Sequence, residues 1–180
     1  YRPKDRNMFK KSFLLSVIFF QFLASCSDFS EENLIEQSGA PLLKGLGTHT
    51  HPISSDVEGV QRYFDQGMIM AFAFNHAESI RSFKAAQNLD PNCAMCYWGE
   101  ALALGPNINV NSDGKVIMAP ENRIAAFKAI NKAIALSGTV SEKEQAFISA
   151  LSSRYNGNPK SNRDPLDIAS VSYTHLTLPT

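Results

Sequence analysis

The sequence predicts an all-α fold of antiparallel helix–turn–helix repeats, incomplete at its C-terminus. Three observations carry this expectation. Apolar residues recur at three- and four-residue spacing between Val57 and Leu151, which lines them up on single faces of successive helices. Short breaks, Asn75-His76 and Asp90-Pro91, punctuate that pattern. Two helices of about 13 residues closed by Pro91 make a period of about 34 residues.

Totals exclude several classes. The chain has 180 residues, enough for one domain and not two large ones. Seventeen basic residues balance 17 acidic ones, and that lack of a basic excess argues against nucleic acid as a partner. With 44% hydrophobic residues the chain is not globally disordered, and three cysteines are too few for a disulfide-built mini-protein. Charge is unevenly spread. Residues 1–25 hold five basic residues and one acidic, which leaves 12 basic against 16 acidic in the rest.

The elements follow in order. Residues Tyr1 to Asn7 precede Met8 and read as translated upstream sequence. Lys10 and Lys11 then lead an apolar run from Phe13 to Ala24, shorter than the roughly 20 residues a spanning helix needs. A charged start and a short apolar core are the pattern of a secretory signal. Leu23-Ala24-Ser25-Cys26 resembles a bacterial lipobox, which implies that the Cys26 thiol accepts diacylglycerol and anchors the chain. The alternative is an ordinary signal peptide with a chance cysteine. Residues 1–25 are thus upstream residues and signal peptide. Residues 26–55 are a tether, with Asp28, Glu31, Glu32 and Glu36 keeping its start solvated.

A helical domain is expected over 56–156. Phe64, Met68, Ala71 and Phe72 share one face of the first helix, and Ala77, Ile80, Phe83, Ala86 and Leu89 one face of the second. Asp90 as N-cap and Pro91 at the first helical position open a third helix carrying Met95, Trp98, Ala101 and Leu102. These residues resemble a tetratricopeptide repeat (TPR), so the expected fold is a TPR-like α-solenoid. Tyr63, Gly67, Phe83, Ala86 and Pro91 match the repeat's positions, and Ser79 replaces its usual alanine. Gln66 and Met70 depart from it. A second unit opens at Tyr97, with Ala101 at the close-contact position. Its second helix, marked by Ala126, Ile130 and Ala133, is displaced by an insert loop at 105–120 rich in Gly, Pro and Asn. Ser141 and Glu144 form a capping box that opens a third unit with Ala146, Phe147, Ala150 and Leu151 on its apolar face.

More broadly, residues 45–155 resemble bacterial secreted TPR proteins through Gly47-Thr48-His49-Thr50-His51-Pro52, Tyr63-Phe64-Asp65-Gln66-Gly67 and Ala103-Leu104-Gly105-Pro106-Asn107. That resemblance implies a longer solenoid and no known reaction. Beyond Tyr155 the pattern stops, and 157–180 reads as a disordered or artefactual tail. Val171 to Thr180 is β-prone and resembles a translated sequencing adapter, which would place the end of the gene's own coding sequence near residue 169. On that reading Phe147, Ile148 and Leu151 lack the helix they should lie against.

Three groups of residues are candidates for chemistry. Cys93 and Cys96 are a Cys-x-x-Cys pair that fits buried small hydrophobes, a local disulfide, or redox or metal chemistry. His49, His51 and His76 are metal-ligand types, with a loop and turn setting as the plainer reading. Asn109, Asn111, Asp113 and Gly114 partly mimic a calcium loop, but Pro120 stands where it needs Glu. No phosphate-loop or hydrolase motif is present, and no catalytic, metal or cofactor residue is assigned. The expected function is a lipid-anchored TPR scaffold of the bacterial cell envelope, periplasmic or at the cell surface, that binds a peptide or protein partner. It meets the membrane through Cys26, and its candidate partner-binding residues are Arg62, Gln66 and Asn75. The alternative is a secreted metal- or redox-handling enzyme with an accessory TPR region.

Overall fold

The computed structural model describes the backbone of residues 30–107, 111–112, 115–116 and 118–177, with side chains described over 30–107 and 118–171. The signal segment, Cys26 and most of the calcium-like loop lie outside the described residues. The fold is all-α. Described helices are α1 (Glu31–Ser38), α2 (Val60–Phe72), α3 (His76–Leu89), α4 (Ala94–Leu104), α5 (Pro120–Leu136), α6 (Glu142–Ser152) and α7 (Asp164–Thr177). A 3-10 turn, Ser137–Thr139, joins α5 to α6. The insert carries a two-residue antiparallel ladder, β1 (Asn111–Ser112) against β2 (Lys115–Val116).

The chain divides at Asn33 into two compact units. In the first, the described residues open α1, where Ser30 Oγ accepts the Asn33 N–H at 3.2 Å. In the second, from Leu34 onward, each helix from α2 to α7 packs on the next, and α4 also touches both α2 and α6.

Local chemistry sets the helix ends. Asn75 Oδ1 accepts from the Glu78 N–H at 3.4 Å and caps α3. The capping box at Ser141 and Glu144 forms as expected. Pro120 occupies the first turn of α5, where its missing N–H costs nothing. The Asp90-Pro91 pair acts differently from the expectation. Asp90 ends α3, and its Oδ1 accepts the Asn92 N–H at 2.9 Å in an Asx turn. Helix α4 therefore starts three residues later, capped by Cys93.

The core centres on Phe83 of α3, which is fully buried. Its ring meets Phe64 of α2 edge-on, with centroids 5.4 Å apart. It also fills the space that side chains on two glycines would occupy. A Cβ on Gly67 of α2 would lie 2.7 Å from the ring, and one on Gly99 of α4 only 2.3 Å. Close approach also allows Ser79 Oγ of α3 to donate to the Gly67 carbonyl at 2.7 Å. Ala126, Ile130 and Ala133 are buried on α5, as their spacing predicts.

Three expectations are corrected. The tether reading fails for Leu34–Ser55. Leu34, Ser38 and Ala40 are buried, because this segment finds hydrogen-bond partners on α2, α3 and α6. The disordered reading of the tail is corrected over Asp164–Thr177, which is helical. Arg163, just before the helix, and Ser170 within it are buried, while Ile168 and Val171 face solvent. Asn162 Oδ1 caps the Asp164 N–H at 3.1 Å, and Arg163 pairs with Asp167 at 2.8 Å. Finally, Ile148 and Leu151 are buried rather than left open, since α7 packs on α6.

Glu144 of α6 is the most heavily used carboxylate in the fold. It accepts from the backbone N–H and hydroxyl of both Ser54 and Ser141. Burial pushes its carboxyl up, but those four donors outweigh burial and hold it below the ordinary 4.5. A depressed acid contributes stability above its unfolded value and loses it as pH falls through the folded one. The melting temperature should therefore drop as pH is lowered below about 4.5. Glu144→Gln should melt lower at pH 7 and lose less over the same acid range in a circular-dichroism titration.

The glycine contacts predict that Gly67→Ala and Gly99→Ala each destabilise by about 1–3 kcal/mol, the usual overpacking cost, despite alanine's better helix propensity. Gly99→Ala combined with Phe83→Leu should cost less than the two single changes summed, as read by urea denaturation.

Candidate functional site

The motif Tyr63-Phe64-Asp65-Gln66-Gly67 is one turn and a quarter of α2, and each residue has a separate task. Tyr63 Oη donates to the Ala40 carbonyl and lies 2.6 Å from Ser38 Oγ. Phe64 and Gly67 hold Phe83. Asp65 accepts from Thr50 Oγ1 at 2.8 Å and from the His51 N–H at 2.9 Å, so it pins the Thr48–His51 loop to the helix. Gln61 adds bonds to the His51 carbonyl and the Ile53 N–H. Gln66 accepts from the Leu43 N–H at 2.8 Å and donates to the Pro41 carbonyl and Ser82 Oγ.

Pinning that loop puts His49 and His51 at the edge of an apolar groove of about 440 Å³. Its apolar walls come from Met68 and Phe72 of α2, Trp98 and Leu102 of α4, and Phe147 and Leu151 of α6, and Ser170 of α7 adds a polar side chain. Neither α3 nor α5 contributes a side chain. The His51 ring lies 5.7 Å edge-on from Phe147 and 6.1 Å from Phe64. The Trp98 ring lies tilted against Phe147 with centroids 5.8 Å apart, and its indole N–H donates to the Phe147 carbonyl at 3.0 Å. These contacts fix the ring positions, so the groove is pre-formed. Arg154 closes one end, with its Nε buried and lacking a hydrogen-bond partner. Beside it Tyr155 donates to the Ala101 carbonyl at 2.7 Å, and burial pushes that hydroxyl up to about 12, so it stays a donor.

At the mouth of the groove Phe72 is 71% exposed, and Phe74, in the turn after α2, is 60% exposed. Phe74 has φ 60°, the left-handed region. The Phe74 N–H bonds to the Ala71 carbonyl and the Asn75 N–H to the Met70 carbonyl, the paired bonds of a Schellman turn that usually takes glycine. The chain thus keeps an aromatic where both backbone strain and water disfavour one.

The residues expected to bind a partner are not brought together there. Gln66 is only 3% exposed and spends its amide within the fold, which corrects its assignment. Arg62, one turn earlier, is exposed on the same side of α2, beside the 42–50 loop and a hollow of about 280 Å³. Asn75 caps α3. None of the three lines the groove. Trp98, Phe147 and Leu151 do, and in the sequence they appear as apolar-face residues with nothing to distinguish them from core.

Of the readings open for Cys93 and Cys96, the structure shows the disulfide, with both residues buried. Among the described residues no three His, Cys, Asp or Glu side chains converge as metal ligands. His76 lies 6.4 Å from the Phe74 ring, and both its ring nitrogens are buried without a partner.

Because a left-handed conformation costs an L-residue about 1–2 kcal/mol, Phe74→Gly should raise stability by roughly 1 kcal/mol. A thermal melt checks it, and a fall in midpoint would mean that the Phe74 side chain is held by contacts within the fold.

Comparison with known proteins finds no match: no family model fits the chain, and no curated protein or solved structure is similar to it.

Proposed function

We propose that the chain is a lipid-anchored, TPR-like scaffold of the bacterial cell envelope that binds a peptide or protein partner in the apolar groove. The observation that carries this reading is the alternation of helices around it. The apolar walls are α2, α4 and α6, α7 adds Ser170, and α3 and α5 contribute no lining side chain. Stacked helix pairs that put one helix of each pair on an inner surface are the arrangement of α-solenoids, whose concave surfaces bind extended ligands. Support for the address comes from the sequence, in the Leu23-Ala24-Ser25-Cys26 stretch after a short apolar run.

The groove's chemistry defines what it would take. An apolar or aromatic side chain of the partner would sit between Phe72, Trp98 and Phe147, and its backbone would run past His49 and His51. Trp98 is the chain's single tryptophan, so its fluorescence reports occupancy. Titrating the full chain with a randomised peptide library bearing central aromatic residues should shift Trp98 emission for a subset of peptides. Ala150→Arg, which would fill the groove, should weaken those peptides by about tenfold or more, a change of about 1.4 kcal/mol. Unchanged affinity in a folded Ala150→Arg protein, or no responding peptide, refutes the reading.

A further inference from the structure

A second cavity lies on the other side of α4. Trp98 and Leu102 look into the apolar groove, whereas Tyr97 and Glu100 look into a cavity of about 650 Å³ between α3, α4 and α5. Its size falls in the range of small-molecule sites. Its charges are unbalanced. Lys84, Lys128 and Lys132 line it, against the single carboxylate of Glu100. That carboxylate is already used: it accepts from Gln87 Nε2 at 2.8 Å and pairs with Lys84 at 3.5 Å. Lys128 and Lys132, one turn apart on α5, have no ion-pair partner among the described residues. Lys132 Nζ instead lies 5.9 Å over the Tyr97 ring. This surplus stands in a chain whose residues after position 25 are acidic overall, 12 basic to 16 acidic. Concentrating positive charge in a concave site against the net sign of the surface focuses the field there.

We propose that this cavity binds a phosphate-bearing molecule, its phosphate between the Lys128 and Lys132 ammonium groups. Lysine acts on phosphate as a point charge with rotatable donors, which suits two ammoniums on flexible stems. The small side chains Ala125 and Ala129 leave room beside Tyr97 for a flat apolar body against the ring. A bare phosphate would use the charges alone, and a phosphate monoester with an aromatic body would use both. The site is independent of the apolar groove and of the reading given for it.

The test uses the full chain and isotope-labelled NMR at low salt. Phenyl phosphate should shift the amides of Tyr97, Lys128 and Lys132 in a saturable way, more tightly than inorganic phosphate. The double change Lys128→Gln with Lys132→Gln should weaken binding by about tenfold or more, because charge-assisted hydrogen bonds are roughly twice as strong as neutral ones. Glutamine keeps helix propensity, so a matching melt certifies the fold. Lys143→Gln, a charge change on α6 outside the cavity, should leave binding intact. Sedimentation with phosphatidylcholine vesicles, with and without phosphatidylglycerol, separates the sources of phosphate. Binding to phenyl phosphate assigns a soluble ligand. Binding only to phosphatidylglycerol vesicles, lost in the double variant, assigns a lipid headgroup. No saturable binding in either arm overturns the proposal, as does equal weakening by Lys143→Gln.

Discussion

Seating one benzyl ring between two glycines is the constraint on which the helical core depends. Phe83 projects from α3 toward α2 and α4 together, and each of those helices offers a position without a side chain. The geometry works only if both glycines are kept, since a core packed to crystal-like density has no slack to absorb a methyl group. It also explains why α2 and α4 touch although they are not consecutive. A larger residue on either would lift its helix off α3 and open the contact between them. Fully burying a phenylalanine is worth about 1.5–3 kcal/mol, so the ring repays the conformational freedom the two glycines lose.

Polar chemistry does the second part of the assembly. Asp65, Gln66, Gln61 and Glu144 have side chains largely withdrawn from water, and each finds donors or acceptors on the 38–55 segment. Backbone groups of a segment without regular structure must be paired somewhere, and here helix side chains pair them. Those side chains also aim the segment, so that His49 and His51 arrive at the rim of a groove made by helices far along the chain. The apolar side of the molecule and the basic cavity are thus separated by the thickness of α4.

Periodicity made much of this legible. Helices α2 to α6, the capping box at Ser141 and the buried face of α5 follow from spacing, whereas on α3 only Phe83 and Ala86 of the expected face are buried, joined by Ser79, Ser82 and Ala85. What spacing cannot show is partnership at a distance. Gln66 looks like a surface residue of an amphipathic helix, yet it is buried because Leu43 and Pro41 come to it. The 34–55 segment has too few apolar residues to register, since hydrogen bonds hold most of it. Helix α7 escapes notice because Ser170, the residue it buries among those whose side chains are described, is polar, while Ile168 and Val171 face out. Gly99 and Ala101 are both small residues of α4, and only the path of the Phe83 ring shows that Gly99 makes the close contact. The groove's own residues carry core-like signals, and a concave surface becomes visible only when three helices are set side by side.

The bonds that join the 38–55 segment to the helices also have a mechanical meaning. Any tension applied to the chain before residue 38 reaches helices α2 to α7 through that segment. The attachments are distributed along it: Ser38 to Asn88, Leu43 to Gln66, Thr50 and His51 to Asp65, Ser54 to Glu144, Ser55 to Asp90. They fall on α2, on α6 and at the C-terminal end of α3, so a pull is divided among several anchor points instead of peeling one helix from its end. The helices are thus strapped at several points to the segment that leads into them.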